Sequence, residues 1–318
     1  MSGKLFHAPF IEAHPGFELT GIVERNREES RERYPNARLF RSVEALCADP
    51  ETDLIIVNTP SYLHLEHAKL AIAAGKNLLV EKPFTIAVSE AEELIDRAEK
   101  KGVSITIYQN RRYDGDFRAV KKILTENLLG EIREVQFRYD RYRPVYGGKP
   151  HKEGSLPGAG NMYDLSPHLV DQALQLFGWP KALFADIWKM RGGEVVPPDY
   201  FELLLYYDQL RVRLGASSVC REPLPGFILH GMKGSFHQLR SDLQEQQLLA
   251  AVKPSLQSWC PAPARPDQNR HHGDQRPREH RTHATHRATP VIVRPRSRAT
   301  PVTGDLELVT PGAVRSIR

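Results

Sequence analysis

Cysteine is scarce. The 318-residue chain has three, Cys47, Cys220 and Cys260, too few and too scattered for a disulfide framework or a zinc cluster. Long apolar runs are absent too: no stretch approaches the ~18 uncharged residues of a membrane span. The opening MSGKLFHAPF has no apolar signal core, so secretion is not expected and a reducing cytoplasm is the default. No Cys/His set has metal-ligand spacing, and no acidic cluster suggests a metal. Hydrophobic residues make up 40% and charged residues 26%, which excludes a collagen-like or wholly disordered chain. At ~100–200 residues per domain, this length predicts two domains.

Positive charge is plentiful in one place only. The formal net charge is +5. Between Pro261 and Thr300, nine arginines and no lysine face Asp267, Asp274 and Glu279, a local surplus of +6 that leaves the remainder near −1. The basic character belongs to a tail and does not argue for a nucleic-acid partner. Within it, HHGDQRPREHRTHATHRATP has no apolar periodicity and no aromatic residue to stack on a base. Two readings of residues 257–318 stay open. One is a disordered basic tail. The other is a stretch out of register with the natural coding frame, suggested by the sudden loss of Lys, Tyr and Phe and the burst of Arg, His and Pro.

Ahead of the tail, residues 1–128 alternate short apolar runs with amphipathic stretches. The pattern predicts a helix over 4–13 and a strand over 17–24. A buried strand at 53–58 (DLIIVN) and a helix over 61–74 stopped by Gly75 follow. Next come a strand at 78–80, a helix over 88–101 ended by Gly102, and a strand at 103–108. Continuous apolar strands separated by helices predict a doubly wound parallel sheet, an α/β fold. Residues 129–256 read differently. An alternating strand at 131–142 precedes a Gly/Pro-rich loop, a helix to about Phe177, and strands at 182–188, 200–207, 211–217 and 226–230. That is an α+β domain on a large, mostly antiparallel open sheet.

Several residues could carry chemistry. Glu81-Lys82-Pro83 directly follows a buried strand, and open parallel sheets bind ligands outside the carboxyl ends of their strands. A lysine there can polarise a substrate oxygen; taken alone it reads more readily as a surface ion-pair partner. Thr59-Pro60 holds the same place after the preceding strand, with His64 and His67 beyond it. Asp164 and His168 are four apart, a spacing that joins a carboxylate to an imidazole acting as general acid or base. Pro167 fits the first position of a helix capped by Ser166, which sets Asp164 just before the helix. A dinucleotide fold normally opens with a strand and G-x-G-x-x-G. Here Gly3 fits the third glycine, without the preceding strand and first two glycines. Glu24 stands where an acidic residue would bind a ribose 2′-hydroxyl.

Four segments together resemble the Gfo/Idh/MocA family of NAD(P)-dependent oxidoreductases: VNTPSYLHLEHAKLAIAAGKNLLVEKPF (57–84), YQNRRYD (108–114), RYRP (141–144) and MYDLSPHLVDQALQLFG (162–178). The QNRR and RYRP segments look like the branch that includes scyllo-inositol dehydrogenases. The resemblance covers residues 1–256. It implies a Rossmann-type sheet, here with its first strand missing, and a second domain whose open sheet forms homo-oligomers. It implies Lys82, Asp164 and His168 as catalytic, with His168 taking the alcohol proton. It implies Gly3, Glu24, Thr59, Pro60, His64, Glu81 and Asn110 at the cofactor, and Arg111, Arg141, Tyr142 and Arg143 at a sugar or polyol substrate. Glu24 favours NAD, while Arg25 and Arg27 could attract the 2′-phosphate of NADP; the balance leans slightly to NAD. The implied reaction is hydride transfer between an inositol-like CH–OH group and a nicotinamide. The alternative is a non-catalytic dinucleotide- or sugar-binding regulator, or an inactive truncated copy.

Overall fold

The structure, a computed structural model, describes residues 3–192, 197–239 and 291–295. A turn over Gly3–His7 leads into α1 (Ala8–Ala13), which has proline in its first turn, where a backbone N–H has no helical partner to lose. β1 (Phe17–Glu18) and β2 (Gly21–Val23) follow, in place of the single strand expected over 17–24. Both lie against a strand from the tail, β1 at its end and β2 at its start, and β2 also runs parallel to β3. α2 (Glu29–Arg33), β3 (Arg38–Phe40) and α3 (Val43–Cys47) come next. The Ser42 hydroxyl caps α3 by accepting the Ala45 N–H at 3.1 Å.

β4 (Leu54–Val57), α4 (His64–Ala73), β5 (Asn77–Val80), α5 (Val88–Lys101) and β6 (Ile105–Ile107) form the expected strand-and-helix repeat. β4, β5 and β6 are parallel, and Ile55, Val57, Leu78 and Val80 are buried with Leu94 of α5. α5 stops at Gly102, whose φ of +73° is open to glycine without strain.

The second domain adds α6 (Gly115–Thr125), β7 (Ile132–Arg138), α7 (Pro150–Glu153), α8 (Asn161–Asp164), α9 (Ser166–Phe177), β8 (Ala182–Trp188), β9 (Tyr200–Tyr206), β10 (Arg211–Ser217), β11 (Phe227–Gly231) and β12 (Gly234–Gln238). Its sheet has the order β12-β11-β7-β10-β9-β8, antiparallel except where β7 meets β10. Alternation does the sorting: Phe201, Leu203 and Leu205 of β9 turn inward, together with Phe117 of α6 and Leu169 of α9. Each such side chain contributes ~1.5–3 kcal/mol by leaving water. Ser166 is not the N-cap expected for α9. It is the first helical residue, and its hydroxyl donates to the Met162 carbonyl of the short helix before it. Asp164 therefore ends α8.

The tail also enters the fold. Val291–Pro295 forms β13 between β2 and β4, giving the order β3-β2-β13-β4-β5-β6. It is antiparallel to both neighbours, with Val291 opposite Ile22 and Ile56 and Val293 opposite Leu54. The sequence pattern predicts no strand in 257–318 and leaves the sheet without a central member. Backbone N–H and C=O groups of buried strands require partners, and a short apolar run supplies them whatever its direction. The readings of the other tail residues fall outside the described residues. Among the described residues, no helix is long and apolar enough to cross a membrane.

Proline cannot donate to a ladder and is excluded from central strands. Ile292→Pro is therefore expected to lower the urea midpoint of unfolding. An unchanged midpoint would show that the sheet does not depend on this segment.

Candidate functional site

The loops after β4, β5 and β6 come together at the carboxyl edge of the parallel sheet. They carry Asn58-Thr59-Pro60, Glu81-Lys82-Pro83 and Tyr108-Gln109-Asn110. His64 braces two of them. Its Nε2 is 2.9 Å from the Thr59 carbonyl oxygen and its Nδ1 is 2.8 Å from that of Pro83. Only 1% of it is exposed. Burial pushes its pKa down, against the pull of those carbonyls. The Thr59 hydroxyl is 3.1 Å from Nδ1 of His67. His64 was expected to line a cofactor. The structure makes it an interior brace, with both ring nitrogens facing protein carbonyls.

The two domains meet at Lys82. Its Nζ donates to Oδ1 of Asp164 at 3.0 Å and to the Asp164 carbonyl oxygen at 2.5 Å. Lys152 Nζ lies 2.8 Å from the same Oδ1, and Arg141 Nη1 is 3.9 Å from Oδ2. Burial pushes the Lys82 pKa below the ordinary lysine range; Asp164 pulls it back up and Lys152 opposes it. Burial alone would raise the Asp164 pKa, but Lys82, Lys152 and Arg141 outweigh it and hold it well below its ordinary value of 3.8. A carboxylate depressed in the fold stabilises fully above its unfolded pKa, and the effect is lost only as pH falls through the lower folded value. His168 stands in the first turn of α9, buried, with its backbone N–H on the Leu165 carbonyl. The arrangement offers a buried cation fixed by a carboxylate, with an imidazole on the adjoining helix.

The other expected site residues fare unequally. Gly3 opens the first turn, and Asn110 opens the turn Asn110–Tyr113 after β6. Arg111 is held by Asp114 at 3.1 Å. Arg143 is close enough to Arg141 and Asp164 to feel both charges, although burial is the first cause of its lowered pKa. Tyr142 is half exposed, with the Arg221 guanidinium 5.4 Å from its ring centre. Glu24 is buried, and its Oε2 accepts the Ser30 N–H at 3.2 Å and the Ser30 hydroxyl at 3.0 Å.

Three residues escape the sequence pattern. Lys152 lies in the short helix α7, which only the fold brings to Asp164. Asn58 is 3% exposed, and neither polar atom of its amide has a hydrogen-bond partner among the described residues. The same holds for Oε1 of Gln109. Both residues stand at strand ends on the carboxyl edge of the parallel sheet, and buried polar atoms without a protein partner fit a ligand that offers donors and acceptors. The one signal for Asn58 is a polar residue immediately after an apolar run.

Removing one partner of a buried ion pair leaves an uncompensated charge. Asp164→Asn is expected to destabilise the chain by ~3–5 kcal/mol, and adding Lys82→Met should recover part of that loss. Chemical denaturation of the double-mutant cycle reads it. A loss under ~1 kcal/mol would place the pair in the class of solvated surface bridges.

The family model described as an oxidoreductase family with an NAD-binding Rossmann fold matches residues 1–109. The GFO/IDH/MocA C-terminal domain matches residues 117–237. The chain is 39% identical over 261 residues to scyllo-inositol 2-dehydrogenase (NADP(+)) IolW of Bacillus subtilis, covering 81% of this chain and 72% of that protein. It is 36% identical over 258 residues to the uncharacterized oxidoreductase YdgJ of Escherichia coli K12, covering 81% and 74%. The crystal structure of an oxidoreductase from Bacillus cereus is similar at a TM-score of 0.71 and 33% identity, over 80% of this chain and 73% of that one. With both domains matched and the fold shared, the chain belongs to the Gfo/Idh/MocA family of NAD(P)-dependent oxidoreductases.

Proposed function

We propose that this chain interconverts a CH–OH group of a polyol or cyclic sugar, inositol-like in shape, with the corresponding ketone. The observation that carries the reading is the Lys82–Asp164 pair, which joins the dinucleotide-binding edge to the second domain beside His168. A bound nicotinamide dinucleotide supplies the hydride acceptor at its C4 carbon. Asn58, Thr59, Pro60, Glu81, Gln109 and Asn110 would hold its nicotinamide half. Gly3 and the loop after β2 would hold its adenosine half. The chain manages the proton: His168 takes it from the substrate hydroxyl, and the Lys82 ammonium donates a hydrogen bond to the oxygen as negative charge develops. Asp164 aims Lys82, and Arg141 and Arg143 flank the substrate. Oligomerisation belongs to the same reading: β8 exposes Leu183, Phe184, Ile187 and Trp188 at the edge of the second sheet, and a second copy would cover them.

Cofactor choice follows from Glu24. The lean toward NAD rests on a carboxylate that would grip the ribose 2′-hydroxyl. That carboxylate faces Ser30, while Arg25 is exposed beside it. Arg41 donates to the Glu24 and Arg27 carbonyls from the same loop. The B. subtilis relative is named for NADP(+). We therefore place the 2′-phosphate of NADP beside Arg25 and Arg41.

Two measurements test this reading. With inositols and hexoses as a substrate panel, His168→Ala and Lys82→Ala are each expected to cut kcat by ~10²–10⁴-fold. Wild-type rates in both variants would remove the site assignment, and binding without turnover in the parent chain would favour the regulatory alternative. For the cofactor, fluorescence titration should show NADPH binding ~10-fold or more tighter than NADH, the size of one charge-assisted contact. Arg25→Glu should abolish that preference, and equal affinities in the parent chain would return Glu24 to the ribose.

A further inference from the structure

One buried residue beside the site, His7, has no part in the chemistry above. His7 lies in the first turn of the chain, 2% exposed, and its Nε2 is 2.8 Å from Oε1 of Glu81. A carboxylate can only accept, so Nε2 carries the proton. The imidazole packs on Tyr108, with ring centres 4.4 Å apart, and the Tyr108 hydroxyl donates to the Phe6 carbonyl at 2.9 Å. The ring is thereby fixed from two sides. The second oxygen of Glu81 accepts the backbone N–H of Lys82 at 3.3 Å, while the Lys82 ammonium points the other way, to Asp164. Glu81 already acts on that ammonium at a distance, opposing the effect of burial, and could draw closer to it.

We propose that His7 is a positioning residue: it holds the Glu81 carboxylate against the first turn and the Lys82 backbone, so that the Lys82 ammonium is oriented by Asp164 across the domain boundary. The inference rests on the reading of Lys82 as the catalytic cation. The charged groups that act on it are Asp164 and Lys152 from the second domain and Glu81 on its own loop; Glu81 and Arg111 in turn act on Tyr108 after β6. Without His7, Glu81 can turn further onto Lys82, and a closer carboxylate there makes the ammonium harder to deprotonate.

The test is competitive acetylation of the full chain across pH, read at Lys82 by mass spectrometry against the exposed Lys100. His7→Leu should cut Lys82 reactivity at a fixed pH by ~10-fold, one unit of titration. His7→Gln, whose amide can still reach Glu81, should recover at least half of the loss on a logarithmic scale. Glu81→Gln should make His7→Leu silent. Should His7→Leu fail to fold by circular dichroism, His7→Asn, with an amide too short to reach Glu81, is expected to give the same loss. Unchanged Lys82 reactivity in the folded His7 variant overturns the proposal. The labelling needs no turnover, so the two readings fail separately. A parent chain inert toward every polyol, with the His7 shift present, removes the dehydrogenase reading and leaves His7 in its role.

Discussion

The Lys82–Asp164 ion pair is the constraint on which the rest of the site depends. Taking an ammonium and a carboxylate out of water costs several kcal/mol each, and attraction offsets this only with good geometry and further hydrogen bonds. Those bonds are present: Lys82 also reaches the Asp164 carbonyl, and Lys152 and Arg141 stand on the carboxylate. Lys82 comes from the parallel sheet and Asp164 from the end of α8, so the pair fixes how the two domains face each other. Arg112 reinforces it by gripping Asp171 of α9 with two bonds of 2.9 and 2.7 Å, a bidentate geometry that a lysine could not reproduce. The Gln172 amide adds a bond to the Arg111 carbonyl at 3.1 Å. The cleft between the domains is thus held by charge and hydrogen bonds on both sides of His168.

Much of this is legible in the residues. Leu54–Val57 reads as a buried strand because four apolar residues in a row have no wet face to spare. Gly102 reads as a stop because only glycine takes its left-handed backbone at no cost, and the structure ends α5 there. The alternation of 211–217 separates Arg211 and Arg213 from Val212 and Leu214, and the sheet obeys it. What escapes has physical reasons. β3 has three residues and α2 and α3 five each, too short for a period to show. Lys152, His7 and Asn58 acquire meaning from partners far away in sequence or from the lack of one. Ser166 was misread because a Ser-Pro pair looks like a cap and first turn. The carbonyl of Met162 offered its hydroxyl a better acceptor in the preceding helix.

The central place in the parallel sheet shows how direction and pairing separate. β2 and β4 each need a neighbour, and β13 meets that need while running opposite to both. Stability is largely indifferent to the choice, since parallel and antiparallel ladders differ little per residue. Function is sensitive to it. A parallel strand delivers its carboxyl end, and the turn that follows, to the edge where ligands bind. β13 presents its first residue, Val291, toward that edge and carries its last, Pro295, away to β1. Under the proposed function, phosphate recognition at this edge would fall to the Gly3 turn and the loop after β2.

Hydrogen bonding then separates the residues that can meet a ligand from those that only hold the loops. His64 faces two carbonyls, Thr59 is tied to His67, and Glu24 is turned onto Ser30. Such groups set the position of the backbone around them, and a ligand can use them only by breaking a bond already made. Asn58 and Gln109 are the opposite case: buried amide atoms without a partner among the described residues carry a desolvation cost of ~1–3 kcal/mol that a ligand would relieve. That cost is concentrated at the ends of β4 and β6, on either side of Lys82 at the end of β5. The residues with most to gain from a bound dinucleotide thus flank the lysine assigned to the chemistry. Sequence position alone singles out Thr59 and His64 and passes over Asn58. Their bonding sorts them, and it does so before any ligand is considered.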